Sequence, residues 1–184
     1  MKTTKKLLAI AAFCVAGLSA NAQAWGEQKV FSIGAGFGGS AFVASGTDAT
    51  LPPIQVQLEF PTSLLEGKLG IGGLLGYAGS KYEFGAFKYK YSYILIGGRG
   101  NYHVSEMLGL PENIDAYGGL TLGYNVASVK WDGAGADPGV GGSAGGVLWG
   151  ITAGGRYYFT DKIGANVELG YGISVLTLGL SVKL

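Results

Sequence analysis

Charge, cysteine, histidine and long apolar runs are all scarce in this chain. Asp, Glu, Lys and Arg make up 14% of its 184 residues, against roughly a quarter in soluble domains. An ordinary solvated surface therefore has too few charges to cover it. The formal net charge of +1 provides no basic field for nucleic acid. The single cysteine, Cys14, excludes an internal disulfide. The single histidine, His103, leaves no Cys/His cluster at metal-ligand spacing, and nothing calls for a cofactor. Beyond residue 24 no uncharged, mainly apolar stretch is long enough to cross a bilayer as a helix, which takes about 20 residues. The best candidates, 116–129 and 169–182, are broken by Gly, Ser, Thr and Asn. Mean hydropathy is nonetheless positive, at +0.31. High hydropathy without a spanning helix fits a membrane β-barrel, in which only alternate strand residues face lipid.

What is present begins with an export signal. Lys2, Lys5 and Lys6 precede the apolar run Leu7–Leu18, and Ala20-Asn21-Ala22 and Ala22-Gln23-Ala24 follow. A basic start, a short apolar centre and small residues at the cut describe a secretory signal peptide over 1–24, cleaved after Ala22 or Ala24. Phe13 stands before Cys14, where a lipoprotein signal takes a small residue. Residues 25–184 then form one domain, carrying net charge −2 once the three leader lysines are gone.

The remainder alternates with a period of two, the signature of strands. Phe31, Ile33, Ala35 and Phe37 form one face of the first; Ile54, Val56, Leu58 and Phe60 of the second; Leu69, Ile71, Leu75 and Tyr77 of the third. Ile94, Ile96 and Tyr102 follow, then Leu120, Leu122, Tyr124 and Val126, then Trp149, Ile151, Ala153, Tyr157 and Phe159. Ala165, Val167, Leu169 and Tyr171 make the seventh, and Leu176 to Leu184 on even numbers the eighth. Eight segments of about 9–11 residues predict an eight-stranded antiparallel up-and-down transmembrane β-barrel.

The opposite phase is mostly Gly, Ser, Thr, Asn and Gln, a poor soluble surface but a good filling for a narrow lumen, so the apolar phase is placed outward. Aromatics agree, because Tyr77, Tyr124, Tyr171 and Trp149 fall near the outer strand ends and Phe60, Tyr102, Tyr157 and Phe159 near the inner ones. Two such girdles mark the two membrane interfaces. Outer loops are expected at 44–52, 78–88, 128–146 and near Gly172; inner connections at 61–68, 105–114 and 160–162.

The segments Ile96-Gly-Gly-Arg-Gly-Asn-Tyr-His103, Gly154-Gly-Arg-Tyr-Tyr-Phe-Thr-Asp161 and Ile163-Gly-Ala-Asn-Val-Glu-Leu-Gly-Tyr171 resemble small outer-membrane barrels of Gram-negative bacteria related to the membrane domain of outer membrane protein A. The resemblance runs through the last strand. It implies location in the cell outer membrane, contact with outer-membrane lipid including lipopolysaccharide, and insertion by the barrel assembly machinery. Such barrels usually end on an outward aromatic, whereas Leu184 stands here.

Candidate functional residues follow from the phase. Glu59, Arg99, Asn101, Arg156, Glu168 and Lys183 fall in the lumen, where isolated charges must pair. Glu59 and Glu168 are the expected partners of Arg99 and Arg156. The set fits a structural polar network and, alternatively, the lining of a small porin-like channel. His103 raises a third reading, a lipid A-modifying enzyme built on a Ser–His–acid group, but no such group stands beside it in the sequence. Lys81, Lys88 and Lys90, among Tyr82, Phe84, Phe87, Tyr89 and Tyr91, form a surface cluster suited to lipopolysaccharide phosphates or an extracellular partner. The expectation is a non-enzymatic barrel, structural or binding through its outer loops. Gly34-x-Gly36-x-x-Gly39 lies within a strand, with no helix after it, and is not a dinucleotide loop.

Overall fold

The computed structural model describes residues 28–41, 43–85, 87–133, 139 and 141–184; the proposed leader lies outside them. Eight strands follow in chain order: β1 (Val30–Phe37), β2 (Asp48–Pro61), β3 (Leu69–Phe84), β4 (Phe87–His103), β5 (Ile114–Trp131), β6 (Gly142–Tyr158), β7 (Ile163–Tyr171) and β8 (Leu176–Lys183). Each pairs antiparallel with its neighbour in sequence, and β1 pairs with β8 from Val30↔Lys183 to Phe37↔Leu176. No strand among the described residues is left with an open edge, which membrane burial of the backbone demands. The turns 62–68, 104–113 and 159–162 sit at the end that holds Val30 and Lys183, here the terminal end. The opposite, hairpin end holds the other connections.

The two-residue period sorts side chains as the sequence predicts. Val30, Ser32 and Gly34 are buried while Phe31, Ile33 and Phe37 are exposed, and the same alternation runs through the other strands. Leu120 and Leu122 on β5 are each 65% exposed, yet Asn101, Arg99 and Glu59 are almost wholly buried. A surface that exposes so many large apolar side chains in one continuous belt is unstable in water. Every charged strand residue points into the lumen, stands at its terminal mouth as Lys183 does, or lies at the hairpin-end rim. The barrel is thus inverted relative to a soluble one, with its exterior suited to lipid.

Three expectations change. The strands β2 to β6 run 14 to 18 residues, longer than a spanning strand requires. The expected loop 78–88 is instead a continuation of the β3–β4 hairpin, paired residue by residue to Phe84↔Phe87. It turns at Gly85, whose φ of 60° suits glycine. The residues around it alternate as strand residues do, with Tyr82, Phe84, Phe87 and Tyr89 on one face and Lys81, Glu83, Lys88 and Lys90 on the other, although from the sequence they read as a mixed surface cluster. Phe60 is only 8% exposed, with the Lys29 Nζ 5.4 Å from its ring centroid, so it belongs under a cation rather than to an exposed girdle. Irregular β2 pairing at Ala49–Ile54 coincides with Pro52 and Pro53, which supply no N–H to the ladder.

The hairpin half of the lumen is filled by an apolar cluster of Leu74, Ala78, Tyr93, Leu95, Leu148 and Ile173, with Val43 from the β1–β2 connection packed against it. That connection is tied down by Ala41 N–H donating to Gly172 O at 2.8 Å and Ala44 N–H to Tyr93 Oη at 3.2 Å.

Leu122→Arg should destabilise the folded protein by about 2–4 kcal/mol, the cost of a cation facing mid-bilayer. Denaturant titration in lipid vesicles measures it, and an unchanged midpoint would mean that this face meets water.

Candidate lumen site

Small residues make room for the large polar ones. A side chain on Gly119 would meet Asn101 Oδ1 at 2.6 Å and Arg99 Nε at 2.9 Å, and one on Gly154 would meet the Tyr117 ring at 2.6 Å. The lumen glycines therefore leave the volume into which charged side chains from neighbouring strands reach.

Two ionic groups occupy the terminal half. In the first, Arg99 on β4 reaches across to Glu168 on β7: Nη1 donates to Oε2 at 3.0 Å and Nη2 lies 3.0 Å from Oε1. Arg99 Nε donates to Asn101 Oδ1 at 2.9 Å, and Nη2 donates also to Thr152 Oγ1. Glu168 accepts further bonds from the Tyr117 hydroxyl at 2.7 Å and Gln55 Nε2 at 3.2 Å. This forked geometry is the strong form of an Arg–carboxylate contact.

The second group is a closed ring of four. Arg156 on β6 donates to Asp115 Oδ2 at 2.9 Å and to Glu59 Oε2 at 2.6 Å. His103 completes it, with Nδ1 2.7 Å from Asp115 Oδ1 and Nε2 2.9 Å from Glu59 Oε1. A neutral imidazole has one N–H and donates to one carboxylate; imidazolium donates to both. With a charged His103 the ring holds two anions and two cations and is formally neutral, which burial favours. Tyr117 stands between the two groups. Its ring centroid is 4.4 Å from Arg156 Cζ, 6.0 Å from Arg99 Cζ and 5.7 Å from the His103 ring.

The structure brings together Glu59 with Arg156 and Glu168 with Arg99, with Asn101 beside the latter. Lys183 stands apart at the terminal mouth, its Nζ 4.1 Å from the Tyr158 ring centroid. A wide recess of about 580 Å³ opens there, bordered by Gln28, Glu112, Asp161 and Lys183 among others. Asp115 was missed from the sequence, although counting back by twos from Thr121 and Tyr117 along the β5 lumen phase reaches it. It is the direct cross-strand partner of Arg156. Strand pairing and closure therefore set two acids beside the histidine. Ser105 Oγ, however, donates to Asp115 Oδ1 at 3.3 Å, so its contact is to the acid. In a Ser–His–acid triad the serine bonds to the histidine, and both His103 nitrogens already face carboxylates. Among the described residues no group of three or more His, Cys, Asp or Glu is arranged to hold a metal.

Lys81, Lys88 and Lys90 sit on the outer face at the hairpin end. Lys81 and Lys88 Nζ lie 3.4 and 3.9 Å from the same Glu83 Oε1, and Lys90 Nζ lies 2.8 Å from Asp132 Oδ2.

Removing one partner of a buried pair leaves the other charge uncompensated, so Arg99→Met and Glu168→Gln should each cost about 3–5 kcal/mol. The double variant should lose clearly less than the sum. Additive losses in a double-mutant cycle would mean the two groups do not interact. Gly154→Val, which pushes on Tyr117, should cost about 1–3 kcal/mol in the same unfolding assay, whereas Gly118→Val, with nothing near its added side chain, should cost less.

No family model matches the chain, and no curated protein matches it in sequence. Solved structures do match. Neisserial surface protein A aligns with a TM-score of 0.55 at 14% identity, over 86% of this chain and 98% of its own. A major outer membrane protein from Thermus thermophilus gives 0.54 at 13%, over 85% and 98%. The N-terminal β-barrel domain of Pseudomonas aeruginosa OprF gives 0.49 at 15%, over 86% and 99%. At such identities the likeness is one of fold. With its polar lumen, apolar exterior and this topology, the chain is a small eight-stranded transmembrane β-barrel, with the fold of the outer-membrane barrels it aligns with.

Proposed function

We propose that this protein is a non-enzymatic component of the outer membrane, a barrel with a side-chain-filled lumen that meets its partners at the hairpin end. The observation that carries this reading is the two-tier filling. The apolar cluster around Leu95 and Tyr93 blocks the hairpin half, and the Arg99–Glu168 pair and the four-membered ring cross the terminal half. Eight strands enclose little more than such side chains. Glu59, Arg99, Asn101, Arg156 and Glu168 then serve as a structural network, with Lys183 at its mouth. Residues 1–24 are the export leader, the hairpin end faces outward, and assembly machinery inserts the chain. Lys81, Lys88 and Lys90 meet the anionic outer leaflet with its lipopolysaccharide.

Purified protein in planar bilayers should show no discrete conductance steps, and steps that persist in repeated preparations would establish the channel reading instead. Cells expressing the wild type and His103→Ala should carry identical lipid A by mass spectrometry. A modification present only with the wild type would establish an enzyme.

A further inference from the structure

The strands differ in height. β3 to β6 have 16 to 18 residues, while β1, β7 and β8 have eight or nine. Their hairpin ends therefore stand above the rest as a wall. The wall's inner face is aromatic, with Tyr82, Tyr89, Tyr91 and Tyr93 lining a recess of about 600 Å³. Its outer face carries an arrangement that strand pairing makes plain. Lys81 on β3 is the direct partner of Lys90 on β4, and Lys90 is the direct partner of Lys130 on β5. Three lysines thus stand side by side on one face, in one row across three strands.

Like charges placed directly opposite one another destabilise a sheet. Acids within the chain offset this only in part. Glu83 is shared between Lys81 and Lys88, Asp132 serves Lys90, and Lys130 has no carboxylate within ion-pair distance among the described residues. Toward the belt, the next row on the same face is Gly79, Ser92 and Ser128; the one after it is Tyr77, Ile94 and Val126. The order from rim to belt is cationic, small and hydroxylated, then apolar. Four residues separate the lysine row from the apolar row, about 13 Å along the strand and less in height once the strands tilt. A lysine side chain covers part of that distance, with its stem on the surface and its ammonium toward the charge, and the headgroup spans the remainder.

We infer that the outer face of β3–β5 is a docking site for a phosphorylated lipid headgroup of the surrounding leaflet. Acyl chains lie on Tyr77, Ile94 and Val126, the headgroup rests over the Ser92–Ser128 shelf, where Gly79 itself is covered by Thr50 and Leu51, and its phosphate takes the Lys81–Lys90–Lys130 row. The inference rests on the reading above that the hairpin end faces the outer leaflet, and it adds Lys130 and the shelf to the lysines named there. A phosphate placed on this row relieves the repulsion built into the ladder, through charge-assisted bonds.

The test uses the full mature chain in nanodiscs of phosphatidylcholine doped with bis-phosphorylated lipid A. After extraction into a mild non-ionic detergent, native mass spectrometry counts the lipid A retained per barrel. The wild type should retain lipid A in preference to phosphatidylcholine, and raising the salt should strip it. The variant K81Q/K90Q/K130Q should lose about five-fold in retention per lysine removed, while K29Q/K162Q at the terminal end should retain it like the wild type. Retention by the triple variant equal to that of the wild type overturns the site. So does an equal loss in K29Q/K162Q, which would show a general charge effect. Folding of each variant is checked by its gel shift between unboiled and boiled samples. Should the triple variant fail that check, K130Q alone is decisive, with about a five-fold loss expected and none overturning the site. Conductance in bilayers would refute the filled-lumen reading without touching this one, so the two fail separately.

Discussion

Charges buried in a closed, narrow lumen can survive only if each finds an opposite charge across the cavity, and the barrel depends on that requirement. Arg99 and Glu168 come from β4 and β7, Glu59 and Arg156 from β2 and β6, and His103 joins β4 to both β2 and β5. Neighbouring strands are already held by backbone ladders. Most of these side-chain contacts instead tie together strands that do not touch through their backbones. They span the cavity, so they are available to a curled or closed barrel and not to a flat sheet. The inward residues opposite them are small for the same reason, since Gly119 and Gly154 give up volume to Arg99 and Tyr117.

The exterior obeys the complementary rule. Lipid offers no hydrogen bonds, so the outward phase through the belt is apolar or small and the charges withdraw either inward or to the rim. At the hairpin end this rule relaxes, because β3 to β6 extend past the belt. There the same alternation continues with a new composition, with aromatics facing inward and lysines outward. The wall keeps strand geometry after the need to satisfy lipid has ended, so it is an extension of the sheet rather than a loop.

Much of the architecture was legible from residue spacing. The outward placement of Phe31, Ile33, Leu120, Leu122 and Leu180 follows from a period of two together with a second phase too poor in charge for water. The same counting assigned Glu59, Arg99, Arg156 and Glu168 to the lumen. It stopped short at Asp115, which lies beyond the last obvious apolar residue of β5, and at the rim, where Tyr82 to Tyr91 alternate aromatic with charged residues. Phe60 was placed by phase alone and is covered by Lys29, a contact set by where the chain enters the barrel.

By itself, then, the sequence determined which side chains face inward and which outward, because alternation is a local property of extended backbone. Only the tertiary structure decided which charges meet. Pairing across the lumen depends on strand stagger and closure, which bring Glu59 beside Arg156 over 97 residues of chain and Arg99 to Glu168 over 69. Stagger likewise set Lys81, Lys90 and Lys130 in one row, since a shift of a single residue in register would have turned one lysine to the opposite face.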